Sequence, residues 1–224
     1  VIAISNKGED NSLFTPIYFD DEAAPCLTDA SRPSDQGIII KGLLYCADSF
    51  CHFERRDIAR ECICDAYSYF KTIQKMQCED GSFWSRYHYP SAEPNTDSGE
   101  IKGTVNNWCM QLWNLAQMIQ KLEMDGEDNS ISVHEIIGVI EKFIDWQLAR
   151  SPSILEVCGG GEDPANYGDA LNTASTYFTM KYMLTKNEIY KDYAQQAVYM
   201  AWLKSSFYAD MPQYFSIYGG SDLG

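Results

Sequence analysis

The stretch RDIARECICDAYSYFKTIQKMQCEDGSFW, residues 56–84, decides the fold class. Its first part repeats apolar side chains at steps of three and four residues, a spacing that places them on one face of an α-helix. Its last eight residues contain Asp80 and Gly81, which are typical of a tight turn. The stretch therefore predicts an amphipathic helix and a turn that leads back to a neighbouring element. The apolar side chains are Ile58, Cys62, Ala66, Tyr69, Phe70 and Ile73.

Five further segments carry the same helical period, and no convincing strand ladder is found. Ser132 and Glu135 stand at the spacing of a capping box, and Asn187 is suited to cap the last segment. We therefore expect an all-α chain with an N-terminal loop or extension over 1–34 and a helical domain over 35–224. The six predicted helices span 35–52, 56–77, 104–122, 132–149, 168–185 and 188–206.

The predicted helices alternate in character. The first, third and fifth are apolar on more than one side, as a helix surrounded by others must be, whereas the even-numbered helices keep a charged face. The polar starts of the odd helices, at Asp35, Asn107 and Asn172, recur at intervals of roughly 70 residues. The sequence thus predicts about three helical hairpins with inner and outer helices. Long connections follow the outer helices at 78–103, at 150–167 and from 207 onward.

This layout resembles the α/α toroids, and its repeat length is close to that of the six-hairpin glycosidases. Two local stretches add to the resemblance: QCEDGSFW at 77–84 and CGGGEDPANYGDALN at 158–172. The first is similar to a turn of triterpene cyclases and other toroids, and the second to a stretch of mannanase-like members. The resemblance implies a carbohydrate-active fold of which this chain supplies part of the ring.

Aromatic side chains crowd the connection after the second helix. Trp84, Tyr87, His88 and Tyr89 lie within six residues of one another. Aromatic faces stack on the C–H faces of sugars and tolerate partial contact with water. A sugar-binding platform and simple packing of the loop are both open interpretations of these rings.

Carboxylates gather near the predicted starts of the inner helices, at Asp35, Asp97, Glu100, Asp163 and Asp169. Acidic residues at helix starts also serve as caps. Glycoside hydrolysis, however, needs two carboxyl groups, one acting as acid and the other as base or nucleophile. We expect Asp97 or Glu100 to pair with Asp169, because Trp108 and Tyr167 in the same segments can desolvate an acid and raise its pKa. Asn107 completes the predicted substrate site.

Composition excludes several classes of partner. The chain has 32 acidic and 17 basic residues and no cluster of Lys or Arg, so nucleic acid is not an expected partner. No stretch approaches the ~20 apolar residues of a membrane span. Eight cysteines form no Cys-x-x-Cys pair, so we expect neither a metal nor another cofactor. Most are expected to be buried free thiols, with Cys26, Cys78 and Cys158 as candidates for a disulfide.

The resemblance leaves the reaction open between three alternatives. A glycoside hydrolase ranks first, a noncatalytic carbohydrate-binding or protein-interaction domain second, and a polysaccharide lyase using Tyr87 and His88 third. Six hairpins of this length need roughly 400 residues, because each repeat relies on its neighbours to cover the core. We therefore expect further sequence or a partner chain over the open end of the ring.

Overall fold

The structure is a computed structural model. The residues that it describes, given at the end of this paragraph, are mostly helical. The helices are α1 (Pro33–His52), α2 (Arg56–Met76), α3 (Trp108–Lys121), α4 (Val133–Arg150), α5 (178–185) and α6 (Glu188–Phe207). The all-α prediction is confirmed. The described residues are 6–7, 13–14, 17–19, 25–27, 30–31, 33–84, 87–88, 91–95, 108–126, 131–150, 175 and 178–207.

The predicted helix bounds agree closely with the structure wherever both can be compared. The ends of α1, α2, α4 and α6 fall within two residues of the predicted positions. Asn187 caps α6 as expected, since its side-chain oxygen accepts the Ile189 N–H at 3.2 Å. The predicted beginnings of the third and fifth helices lie outside the described residues.

The structure also contains short strands, which the sequence did not predict. Three antiparallel pairs join β1 (Asn6–Lys7) to β2 (Leu13–Phe14), β3 (Ile17–Phe19) to β4 (Pro25–Leu27), and β5 (Ala30–Ser31) to β6 (Tyr87–His88). Strands of two or three residues are too short to show the alternation by which a strand is recognised. The β5–β6 pair links the predicted N-terminal extension to the connection after α2.

The chain divides into two compact units, Val1–Lys142 and Phe143–Gly224, and the division falls within α4. In the first unit α1 packs on both α2 and α3, and α2 also contacts α3. Buried apolar side chains of α1, α2, α3 and α4 form the core, and burial of each large one contributes about 1.5–3 kcal/mol. The core includes Ile40, Leu44, Ile63, Phe70, Ile73, Leu112, Leu115, Ile119, Ile136 and Ile140. The predicted boundary at residue 34 stays a prediction.

Helix α1 has an exposed apolar side as well as a buried one. Ile38 and Tyr45 are 65% and 59% exposed, and Phe53, which follows the helix, is 72% exposed. The sequence predicted an inner helix with apolar residues on more than one side, and α1 has them. The closure of such helices into a ring stays a prediction.

The cysteines are less buried than the sequence predicted. Among those that the structure describes as thiols, Cys109 is buried, Cys51, Cys62 and Cys78 are partly buried, and Cys46 and Cys64 are exposed. A helical period alone does not separate the centre of an apolar face from its edge, so the expectation of mostly buried thiols is wrong. Cys78, a candidate for a disulfide, is likewise present as a thiol.

The start of α4 is held by a network that only half matches the predicted capping box. The Ser132 hydroxyl accepts the Glu135 N–H at 3.4 Å. The Ser132 N–H, however, donates to the Tyr67 hydroxyl at 3.0 Å, and that hydroxyl donates to the Glu135 carboxylate at 3.0 Å. Lys71 Nζ contacts the same carboxylate oxygen at 2.8 Å. In a capping box the Glu135 carboxylate would accept the Ser132 N–H directly. Here the Tyr67 hydroxyl of α2 lies between the two groups, and its hydrogen bonds connect α4 to α2.

The Glu135 carboxylate should make stability depend on pH. The hydrogen bond from Lys71 is the largest cause that holds its pKa below the ordinary value of 4.5; Tyr67 adds to this, and partial burial opposes it. The stabilisation is present above pH 4.5 and is lost as pH falls through the lowered pKa. Because the pair is partly exposed, we expect at most about 1 kcal/mol.

Glu135→Gln should therefore be less stable than the wild type at pH 7 and should approach it at low pH. Urea unfolding at several pH values measures the difference. Glu141→Gln, an exposed site on the same helix, is the control and should show a smaller difference at every pH. A difference for Glu135→Gln that does not shrink in acid would contradict this assignment.

Candidate functional site

The turn at Gln77–Trp84 is closed by its own hydrogen bonds. Asp80 Oδ1 accepts the Ser82 N–H at 3.1 Å and the Ser82 hydroxyl at 2.5 Å. The Cys78 N–H donates to the Ser82 carbonyl, and the Gly81 N–H donates to the Cys78 carbonyl, both at 2.9 Å. The structural interpretation of Asp80 and Gly81 as turn residues is confirmed.

This turn packs directly against the backbone of α4. Gly81 has φ +90°, and a Cβ at this position would overlap the Lys142 carbonyl group. Gln77 Nε2 donates to the Gly81 carbonyl at 3.1 Å and to the Val139 carbonyl at 2.9 Å. Phe83 is 3% exposed and anchors the turn in the core. The beginning of the aromatic connection is thus fixed on two sides.

Tyr87 is a buried anchor within that connection. Its side chain is 1% exposed. The hydroxyl donates to the Met76 carbonyl at 2.6 Å and accepts the Trp84 N–H at 2.7 Å. Burial raises the pKa of Tyr87, so the phenol stays neutral near pH 7. The loop-packing alternative fits Tyr87, and a neutral buried phenol disfavours the lyase alternative in which it would act as base.

Trp84 and His88 remain partly exposed in the same connection. The Trp84 backbone is held by Tyr87, as described above. The His88 N–H donates to the Glu93 carbonyl at 2.8 Å, and the Ala92 N–H donates to the His88 carbonyl at 2.9 Å. These bonds position two partly exposed rings on an ordered base, an arrangement that can present them to a ligand.

The remaining predicted site residues are placed differently. Asp35 lies in the first turn of α1, where the helix dipole favours a negative charge. Trp108 begins α3, although its side chain lies outside the described part of the structure. The other residues stay predictions because they fall outside the described residues. They are Tyr89, Asp97, Glu100, Asn107, Asp163, Tyr167 and Asp169.

The second unit contains a groove that the sequence analysis did not identify. It has a volume of about 570 Å³ and lies along α5 and α6. The α6 residues that line it recur at steps of three and four residues, so they share one face of that helix. The lining residues are Thr179, Tyr182, Lys191, Ala194, Gln195, Val198 and Tyr199.

Tyr182 is the best-defined aromatic ring of this groove. Its hydroxyl donates to Glu188 Oε1 at 3.2 Å, and Lys191 Nζ forms an ion pair with the same carboxylate at 3.0 Å. The Nζ atoms of Lys186 and Lys191 each lie 5.9 Å from the Tyr182 ring centroid. Apolar walls with a few polar groups at one edge are the usual composition of a small-molecule site.

Among the described residues, no group of three or more His, Cys, Asp or Glu side chains is arranged to hold a metal ion. No described helix is long and apolar enough to cross a membrane.

Comparison of the chain with protein families, with curated proteins and with solved structures finds no match. The α/α-toroid resemblance therefore stays an expectation.

Gly81→Ala should destabilise the first unit strongly. The new methyl group needs space that the Lys142 carbonyl occupies, and the backbone has a positive φ. We expect a loss of at least about 2 kcal/mol in the free energy of unfolding.

Gly138→Ala is the matched control, because, apart from its chain neighbours and the nearby backbone of its own helix, no atom lies within 4 Å of the position that its methyl group would occupy. It should be neutral or stabilise by up to about 1 kcal/mol. Chemical unfolding of both variants tests the contrast, and equal stabilities would contradict the close packing of the turn on α4.

Proposed function

We propose that the chain is a carbohydrate-active protein of the α/α-hairpin type, with hydrolysis of glycosidic bonds as its leading activity. One observation carries the proposal. The partly exposed Trp84 has its backbone held by the buried Tyr87 hydroxyl, which in turn bonds the end of α2 at Met76. A partly exposed indole thereby stands on an ordered backbone at the beginning of the connection that leads to Asp97 and Glu100.

An indole on an ordered backbone suits sugar binding for two physical reasons. Its face is apolar enough to cover the C–H face of a pyranose, and its N–H can bond a hydroxyl group or water. Because the backbone beneath it is already ordered, binding costs less conformational entropy than ordering a free loop would. His88 lies in the same connection and offers a polar ring nitrogen as a further hydrogen-bonding group.

The chemistry of the proposed hydrolysis rests on two carboxyl groups. One protonates the glycosidic oxygen, while the other activates water or attacks the anomeric carbon. We assign these roles to Asp97 or Glu100 together with Asp169, on the sequence argument given above. The separation of the two carboxyl groups in a complex with substrate would decide between inversion and retention at the anomeric carbon.

Carbohydrate binding without catalysis is the second candidate, and the groove of the second unit favours it. Tyr182 and Tyr199 supply aromatic surface there, and Lys191, Gln195 and Thr179 supply polar groups. Binding of this kind does not require a paired acid and base. A polysaccharide lyase with Tyr87 and His88 as base and acid ranks third, because basic residues are scarce in the chain and the Tyr87 phenol is buried.

Trp84→Ala should weaken binding to an oligosaccharide by roughly tenfold, as expected when a stacking ring that contributes up to about 1.5 kcal/mol is removed. A glycan array identifies the sugar, and calorimetry then measures the affinity. Phe53→Ala removes a ring that is 72% exposed in the α1–α2 link and serves as the control. If no glycan binds the wild type, or if both variants lose affinity equally, the proposed site is wrong.

Asp97→Asn, Glu100→Gln and Asp169→Asn test the reaction itself. Loss of a general acid or base should lower kcat by about 10²–10⁴-fold in a reducing-sugar assay, while the fold is retained. Glu79→Gln, an exposed acid in the turn before the connection, should retain activity. Glycan binding without turnover by the wild type would reject hydrolysis in favour of the binding alternative.

A further inference from the structure

The α1–α2 hairpin carries a concentration of thiol groups. Cys46 and Cys51 lie on α1, and Cys62 and Cys64 lie on α2. All four are present as thiols in the structure. Neither the turn, the aromatic connection nor the groove uses them.

The register of the hairpin places Cys46 and Cys62 at the same level. Helix α1 ends at His52, and α2 begins at Arg56 after a link of three residues. Cys46 lies six residues before the end of α1, and Cys62 lies six residues after the start of α2. In two packed antiparallel helices, residues equally distant from a short link lie at about the same height along the hairpin.

The two cysteines also differ from their neighbours in burial. Cys62 is partly buried and lies one turn from the buried residues Ala59 and Ala66, on the side of α2 that faces the core. Cys46 is exposed and stands beside the buried Ala47 of α1. Cys64 is exposed. Because it lies two residues after Cys62 on the same helix, it is on the opposite side of α2 from Cys62.

The pKa of the Cys62 thiol is consistent with a position of Cys46 close to it. Burial is the largest cause that raises the pKa of the Cys62 thiol, and the charge of Cys46 is the next. Asp65 and Glu61 raise it further. Cys62 is therefore a protonated thiol near pH 7 that has a second thiol within electrostatic range.

We propose that Cys46 and Cys62 form a reversible redox pair, which closes to a disulfide across the α1–α2 hairpin on contact with a low-molecular-weight disulfide. The exposed Cys46 loses its proton and attacks one sulfur of the small disulfide, whose S–S bond breaks and releases one small thiol. Cys62 then loses its proton and attacks the Cys46 sulfur of the mixed disulfide, releasing the second small thiol. Two electrons pass from the two protein thiols to the small disulfide.

The geometry of a helical hairpin suits such a bond. A disulfide needs Cα atoms about 4.4–6.8 Å apart, and residues that face each other across helices packed at about 8–10 Å come within this range with small adjustments. The bond would close a short loop around the hairpin link and restrict the unfolded chain. We expect the oxidised protein to unfold at a temperature roughly 5 °C higher or more.

Oxidised glutathione tests the proposal on the full chain. After incubation and blocking of free thiols, non-reducing tryptic mapping should show peptide 42–55 linked to peptide 61–71. Each peptide contains two cysteines, so variants are needed to assign the bond. The link should persist in Cys51→Ser and Cys64→Ser, disappear in Cys46→Ser and Cys62→Ser, and revert with dithiothreitol.

Two results would overturn the proposal. One is a link that survives in Cys46→Ser or Cys62→Ser, since it would then belong to another pair. The other is glutathione retained on Cys46 of the wild type with no internal link, because Cys62 would then be out of reach. Cys46→Ser changes an exposed site, so it keeps the test valid even if Cys62→Ser folds poorly.

Discussion

The packing of the Gln77–Trp84 turn on the backbone of α4 is the contact on which the first unit depends. Gln77 bonds the Val139 carbonyl, and Gly81 approaches Lys142 so closely that no side chain fits between them. Both contacts are to main-chain atoms of α4. They therefore fix where α2 ends relative to α4 regardless of which side chains α4 carries there. The aromatic connection begins from this fixed point.

A second group of contacts fixes the same two helices nearer the start of α4. Tyr67 and Lys71 of α2 meet Glu135, and Tyr67 also accepts the Ser132 N–H. Apolar burial supplies most of the stabilising free energy, but it is not directional. The polar contacts at the two levels select one arrangement of α2 and α4 from those that the apolar core allows. The proposed sugar binding depends on that arrangement, because Trp84 is the last residue of the turn and the packing of the turn on α4 sets its position.

The sequence predicted local features well and long-range ones poorly. The period of apolar residues located the helices, and the turn chemistry of Asp80 and Gly81 was evident because it involves adjacent residues. The replacement of the capping box by Tyr67 was not predictable, since its partners lie more than sixty residues away. The same limit applies to Tyr87, whose burial depends on contacts to Met76 and the β5–β6 pair. The groove needs two helices to form its walls, so the apolar period of either helix alone could not predict it.

Hydrogen exchange of the Gln77→Leu variant tests the central claim most directly, because this change removes the amide that bonds the Val139 and Gly81 carbonyls and leaves the other residues of the turn unchanged. Mass spectrometry compares the exchange of peptides from the variant and the wild type. The account predicts faster exchange of the amides of Gly81, Ser82 and Trp84, with exchange in α1 little changed. Unaltered protection of these amides would contradict the claim that packing of the turn on α4 holds the aromatic connection in place.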